Sequence, residues 1–181
     1  MPKIVHREFF DGSRERLDRL GMMNIWTELE AVLTAFEINF VKTDEVNAGA
    51  KLRKLLSGRF RSRRMWRTKC SQGNGWTGSH QVQGATVSLG VQLQFSVPAE
   101  SDLLLVNLQY LRDELATGRI DVGALVVPSD NLCQFLTDGV ARISDALKAV
   151  ERTGASYLPL VILALDHDRT PHEDAPPLLH F

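Results

Sequence analysis

Val82–Ser96 reads VQGATVSLGVQLQFS, and Gly118–Asp130 reads GRIDVGALVVPSD. In the first stretch Val87, Leu89, Val91, Leu93 and Phe95 alternate with Ser88, Gly90, Gln92, Gln94 and Ser96. That period of two predicts a strand over 86–97, closed by Pro98. In the second, Ile120–Val127 is apolar apart from Asp121, which suits a strand covered on both faces of a sheet. Between them, 101–117 reads as a helix stopped by Gly118. Further on, 139–152 reads as a helix ending at Gly154, and Leu158–Leu165 (LPLVILAL) as another buried strand. Strand–helix–strand–helix–strand from 86 to 165 predicts an α/β fold with a mixed central sheet flanked by helices.

Upstream, Leu17, Leu20, Ile25, Trp26, Leu29, Val32, Leu33 and Phe36 recur at helical spacing, so 13–40 reads as helix broken near Gly21, with Ser13 as N-cap. Phe36–Val41 is open to a short strand instead. Helical periodicity resumes over 47–57 through Leu52, Leu55 and Leu56, with Gly58 as its stop. Cys70–Ser79 (CSQGNGWTGS) has loop composition, and His80–Val82 reads as a short strand. The tail beyond His167 is polar and proline-rich. No stretch has the strand–glycine loop–helix arrangement of a nucleotide phosphate cradle.

A chain of 181 residues with 44% apolar and 24% charged content fits a single globular domain. Cys70 and Cys133 are widely spaced and match no metal pattern, so free thiols in a reducing compartment are expected. The first residues, MPKIVHREFFDGSRERL, are charged throughout and lack the apolar core of a secretory signal. With no apolar run near the ~20 residues that span a bilayer, the cytoplasm is the expected location.

The net charge of −1 conceals a segregation. Val46–Ala99 contains no Asp or Glu, although the chain has 22 acids. The first half of that window carries Lys51, Arg53, Lys54, Arg59, Arg61, Arg63, Arg64, Arg67 and Lys69, interleaved with Phe60 and Trp66. A run of cations without intervening acids suits phosphate neutralisation by a positive patch on a neutral protein. On this basis Lys51, Arg59, Arg61, Arg63, Arg64, Arg67 and Lys69 are candidate DNA contacts, some for phosphates and one or two for guanine edges.

The Gln-Leu-Gln strand, with Gln83 nine residues upstream and the helix and apolar strand downstream, resembles the BglII/BamHI-type restriction endonucleases of the PD-(D/E)XK nuclease superfamily. The resemblance covers about 25–168 within a single restriction-endonuclease-like domain of 1–181. It implies a homodimer that binds double-stranded DNA at a short palindromic site and hydrolyses it with Mg²⁺. In that register Gln83 takes the place of an Asp, Gln92 that of a Glu, and Gln94 the third position, where BglII-type members carry Gln. The implied metal ligands are Gln83, Gln92 and the backbone carbonyl of Leu93. The implied catalytic positions are Gln83, Gln92 and Gln94, with Glu30 as a further acid from the early helix. Asn47–Lys51 (NAGAK) is similar to the family's helix opening, which makes Lys51 a phosphate-contact candidate.

Chemistry makes the glutamines conspicuous. Mg²⁺ prefers charged oxygen ligands, and a Gln amide brings an oxygen without charge. Polarising a phosphate and generating a hydroxide nucleophile both depend on a held metal. Several readings therefore stay open: a Mg²⁺-dependent type II site-specific deoxyribonuclease, an inactivated natural or engineered form, or a register in which other acids serve. Against these stand a non-catalytic DNA-binding module or subunit of a larger nuclease or defence complex, and an unrelated α/β protein with a structural Gln-rich strand. Glu100 and Asp102 read as caps of the following helix, His80 as a turn residue, and Asp166, His167 and Asp168 as an exposed strand end.

Overall fold

The computed structural model describes residues 1–36, 48–68, 75–95, 103–136 and 139–167. Strand β1 (Pro2–Phe9) leads into helices α1 (Ser13–Arg19) and α2 (Met23–Thr34), and then α3 (Ala48–Arg61). Strands β2 (Trp66–Thr68), β3 (Gly75–Val82) and β4 (Ala85–Leu93) follow. Helix α4 (Leu103–Ala116), β5 (Val122–Pro128), α5 (Asp130–Cys133), α6 (Ile143–Thr153) and β6 (Leu160–His167) complete the chain. The six strands form one sheet in the order β1-β6-β5-β4-β3-β2. The inner pairs β4–β5 and β5–β6 are parallel, while β1–β6, β2–β3 and β3–β4 are antiparallel. This is the mixed α/β sheet that the alternating pattern predicts.

Both faces of the sheet are covered, which explains why β5 and β6 are apolar almost without interruption and buried along their full length. One core joins Leu17 of α1, Ile25 and Leu29 of α2 and Leu52, Leu56 and Phe60 of α3 to Val87, Leu89, Val91 and Leu93 of β4. The other joins Leu108 and Leu111 of α4 and Ala146 and Val150 of α6 to Leu125, Val127, Leu160 and Ile162. Strand β4 thus sends its odd-numbered side chains toward α1–α3. Its even-numbered ones face α4: a Cβ on Gly90 would lie 2.6 Å from Ile120 and 3.5 Å from Leu111.

The register of β4 has two pins. Gln83 (φ 50°) and Gly84 (φ 86°) form a two-residue turn with both central residues left-handed, the geometry whose twist matches a hairpin. At the start of β5, the Asp121 carboxylate accepts from the Ser88 backbone N–H at 2.8 Å, while Asp121 N donates to the Ser88 carbonyl at 2.8 Å.

Several boundaries depart from expectation. Gly21 (φ 66°) does break the early helix, but Ser13 is no cap: its hydroxyl, buried, donates to the Leu160 carbonyl at 3.1 Å. Helix α3 runs through Gly58, because Leu52, Leu56 and Phe60 bury one continuous face and outweigh a single glycine's cost of ~1 kcal/mol. The expected loop over 70–79 is already strand from Gly75 onward. There Trp76 stacks on Phe60 at 5.3 Å, and Gly78 leaves room for the Trp66 ring. Asp166 and His167 are buried in β6, not exposed, because β1 pairs alongside them. Strand β1 is not legible in the sequence, since its apolar positions are sparse and its faces half-exposed. The α2 helix ends at Thr34. Beyond Phe36, the choice between helix and strand up to Val41 lies outside the described residues, as do Cys70, Glu100, Asp102 and Asp168. Among the described residues no helix is long and apolar enough to cross a membrane. Cys133 is a free thiol, and burial pushes its pKa up to about 11, so it is protonated at neutral pH.

Helix α3 meets the end of β4 backbone to backbone. A Cβ on Gly49 would run into the Phe95 carbonyl oxygen, closer than any side chain allows. Gly49→Ala is expected to destabilise the fold by about 1–3 kcal/mol, read as a lower urea midpoint at unchanged slope. Gln83→Asn, which places the residue best suited to the left-handed region in the turn, is expected to stabilise by up to about 1 kcal/mol in the same measurement.

Candidate functional site

The residues singled out by the sequence divide between the two faces of the sheet. Gln92 and Gln94 lie at the carboxyl end of β4, on the face toward α4, and each is only 1% exposed. Gln92 stands between Gly75 of β3 and Leu125 of β5. Gln94 N donates to the Val126 carbonyl at 2.8 Å, extending the ladder one step past the strand. Its side-chain oxygen accepts a hydrogen bond from the Asn107 carboxamide of α4 at 2.6 Å, and Asn107 is itself buried. Alternation explains why the two glutamines share a face, two residues apart on a pleated strand.

Gln83 does not join them. It occupies the hairpin turn at the opposite end of β4, exposed, and the run from Ala85 to Gln92 alone spans about 24 Å. The hairpin geometry forces this, because a residue in the turn is as far as the strand allows from the strand's other end. The residue placed across from Gln92 is Gly75.

Glu30 does not join them either. It projects from α2, on the other face, and one carboxylate oxygen accepts from Arg7 Nε at 3.0 Å and lies 2.9 Å from a terminal guanidinium nitrogen. Arg7 belongs to β1, three strands across from β4 in the sheet order. The Leu93 side chain is fully buried toward α1–α3. Because Gln94 N–H points to β5 and the peptide is trans, the Leu93 carbonyl points to the β3 side of the strand.

This donor set does not fit a Mg²⁺ ion. Among the described residues no three His, Cys, Asp or Glu side chains gather where a metal could sit. At the end of β4 the side chains are neutral amides, and the oxygen of Gln94 is already taken by Asn107. Hard divalent cations favour charged oxygens and several of them. His80, in β3 opposite Val87, lies toward the turn end of the hairpin, away from Gln92.

The cations gather along α3 and β2. A groove of about 590 Å³ is lined by Lys51, Lys54, Leu55, Gly58, Arg59 and Ser62, one stripe of α3. Arg59 and Arg63, both candidate contacts, are engaged within the protein. Arg59 donates to the Ala35 carbonyl at 2.6 Å and lies over the Phe36 ring at 5.1 Å, tying α3 to the end of α2. Arg63 pairs with Glu28 of α2 at 3.4 Å. Arg61, Arg64 and Arg67 are exposed, and Lys51 is half-buried at the first turn of α3. Lys69 lies outside the described residues.

The basic helix and the two glutamines therefore lie on opposite faces of β4, and the start of α3 reaches the carboxyl end of the strand through the Gly49–Phe95 approach. In open sheets with parallel inner strands, that end is where ligands are bound. Asn107 is a site residue that sequence reasoning misses. Its signal is an amide at an inward position of α4 beside Leu108 and Leu111, visible only once the phase of the helix is known.

No curated protein matches the chain. A family model described as Restriction endonuclease BglII/BglIII matches residues 14–165, which runs from within α1 to within β6. A mixed sheet, a basic helix and a polar pair at the end of the central strand thus lie within one matched span, and the chain belongs to the BglII/BglIII restriction endonuclease family.

Proposed function

We propose that this chain is a type II restriction endonuclease-like protein that binds double-stranded DNA through α3 and β2. The observation that carries this reading is three exposed arginines, Arg61, Arg64 and Arg67, in the same acid-free window as the Lys51–Lys54 groove. Arginine forks reach phosphate oxygens and guanine edges alike, so these arginines can position a duplex and read it. Arg59 and Arg63 contribute by holding α3 rigidly on α2.

A homodimer acting on a short palindromic site fits a family in which two-fold sites call for two-fold proteins. The outward side of α4 supports it. Leu105 and Val106 are exposed there, and Arg112 and Asp113 offer both charges on one face. A patch of that kind can meet its own copy.

Hydrolysis is the weak link. The family chemistry calls for a divalent cation, which polarises the phosphate and lowers the pKa of a bound water. With Gln92 where the resemblance places a Glu, this chain is proposed to bind DNA well and cut it poorly.

Two experiments test the reading. Fluorescence anisotropy with duplex DNA should show binding that weakens with salt, and Arg64→Ala or Arg67→Ala should each lower the slope of log K against log[salt] by about 1. Absence of salt-sensitive binding by the parent chain would sink the proposal. The second uses Gln92→Glu, which buries a carboxylate among neutral groups. In EDTA its Tm should fall below that of the parent, and Mg²⁺ or Mn²⁺ should restore it and bring plasmid cleavage. No cation dependence and no cleavage, with DNA binding retained, would favour a non-catalytic DNA-binding module.

A further inference from the structure

Where α4 covers the carboxyl end of β4, two carboxamides are paired out of solvent. Asn107 is 5% exposed and Gln94 1%, and they face each other at 2.6 Å. Burying two carboxamides costs free energy that a pair of leucines would not incur, and each amide has two donors and an acceptor to satisfy. A polar pair kept in such a place calls for a purpose in the molecule.

Its polarity is informative. Asn107 is the donor and the Gln94 oxygen the acceptor. A carboxamide is planar, so fixing the oxygen on α4 fixes the NH₂ on the other limb. From this geometry we propose that Asn107 is a positioning residue: it sets the Gln94 carboxamide so that position 94 serves the polar end of β4 as a hydrogen-bond donor and not as a metal ligand. The natural recipient for such a donor is an anionic oxygen, the class to which a DNA phosphate belongs. This role rests on the DNA-cleaving reading proposed above, but the polarity of the pair can be tested without it.

The helix links this pair to the outward surface. Val106 and Asn107 are adjacent, one exposed and the other buried, so whatever covers the outer side of α4 also steadies the group that holds Gln94. Asn107 is thus the point at which α4 reaches the glutamine strand.

The test compares two single substitutions with their double. Both single variants bury a carboxylate, but Gln94→Glu keeps an acceptor opposite the Asn107 donor, so its Tm at pH 7 should fall by less than that of Asn107→Asp. Asn107→Asp puts an acceptor opposite an acceptor and forces the Gln94 amide to turn, lowering Tm by about 5 °C. Gln94→Glu/Asn107→Asp faces two carboxylates and should be the least stable of the three. The reverse order of the single variants, with Asn107→Asp tolerated and Gln94→Glu damaging, would overturn the proposal, as would equal effects of both.

Function is read in whichever form cleaves plasmid DNA, the parent or Gln92→Glu. There Asn107→Asp should lower turnover about tenfold to a hundredfold with DNA affinity unchanged. Adding Gln94→Lys, a side chain that only donates, should recover most of that loss by pairing with the new carboxylate while keeping protons to spare. Parallel loss of affinity and turnover, or no rescue by lysine, would reduce Asn107 to a structural amide and overturn the positioning role. If neither form cleaves, the nuclease reading fails on its own, and the order of stabilities decides the polarity of the pair.

Discussion

The pleat of β4 is the constraint on which the rest of the molecule depends. Successive side chains of a strand must leave on opposite faces, so Val87, Leu89, Val91 and Leu93 enter one core and Ser88, Gly90, Gln92 and Gln94 meet α4. A slip of one residue would drive the glutamines into the core with Phe60 and Trp76, and four apolar side chains against Asn107. The left-handed turn at Gln83–Gly84 and the clamp between Ser88 and Asp121 hold the register from its two sides, one by geometry and one by hydrogen bonds. Parallel pairing with β5 then carries that register to β6 and, through it, to β1 at the far edge.

The same constraint separates the basic helix from the glutamines. The basic helix needs a solvent-facing stripe and an apolar underside, and it finds both by packing Leu52, Leu56 and Phe60 on the odd-numbered side of β4. The glutamines need the even-numbered side. The helix approaches the strand's carboxyl end closely, where Gly49 lets the start of α3 touch the backbone after β4. A side chain at position 49 would hold the helix away from the strand, so the absence of a Cβ there is what lets the first turn of α3 approach the end of β4.

Not every cation in an acid-free stretch is free for a ligand. Arg59 stacks on Phe36 and binds the Ala35 carbonyl just past α2, and Arg63 reaches Glu28. These partners lie far back in the chain, outside the window, so composition alone could not reveal that the two arginines are spoken for. Likewise, Glu30 looks like a spare acid on a helix until β1 delivers Arg7 to it. Spacing misleads once more at Gln83: nine residues separate it from Gln92, a plausible interval for two ligands, yet a hairpin turn puts those nine residues between them in space as well as in sequence.

Residue pattern by itself determined the class of fold, the strands β4, β5 and β6, the helices around them and the positive middle of the chain. These are local properties, set by the period of apolar side chains and by where charges are allowed to sit. It could not determine which polar residues converge, because convergence depends on register, on the face each strand presents and on the edge strand β1, whose half-exposed pattern is weak. Only the tertiary structure decided that Gln92 and Gln94 share the face toward Asn107, that Gln83 and Glu30 stand apart, and that Asp166 and His167 are buried beside β1. The physical reason is that a strand's own sequence specifies its two faces, while its neighbours specify what each face meets.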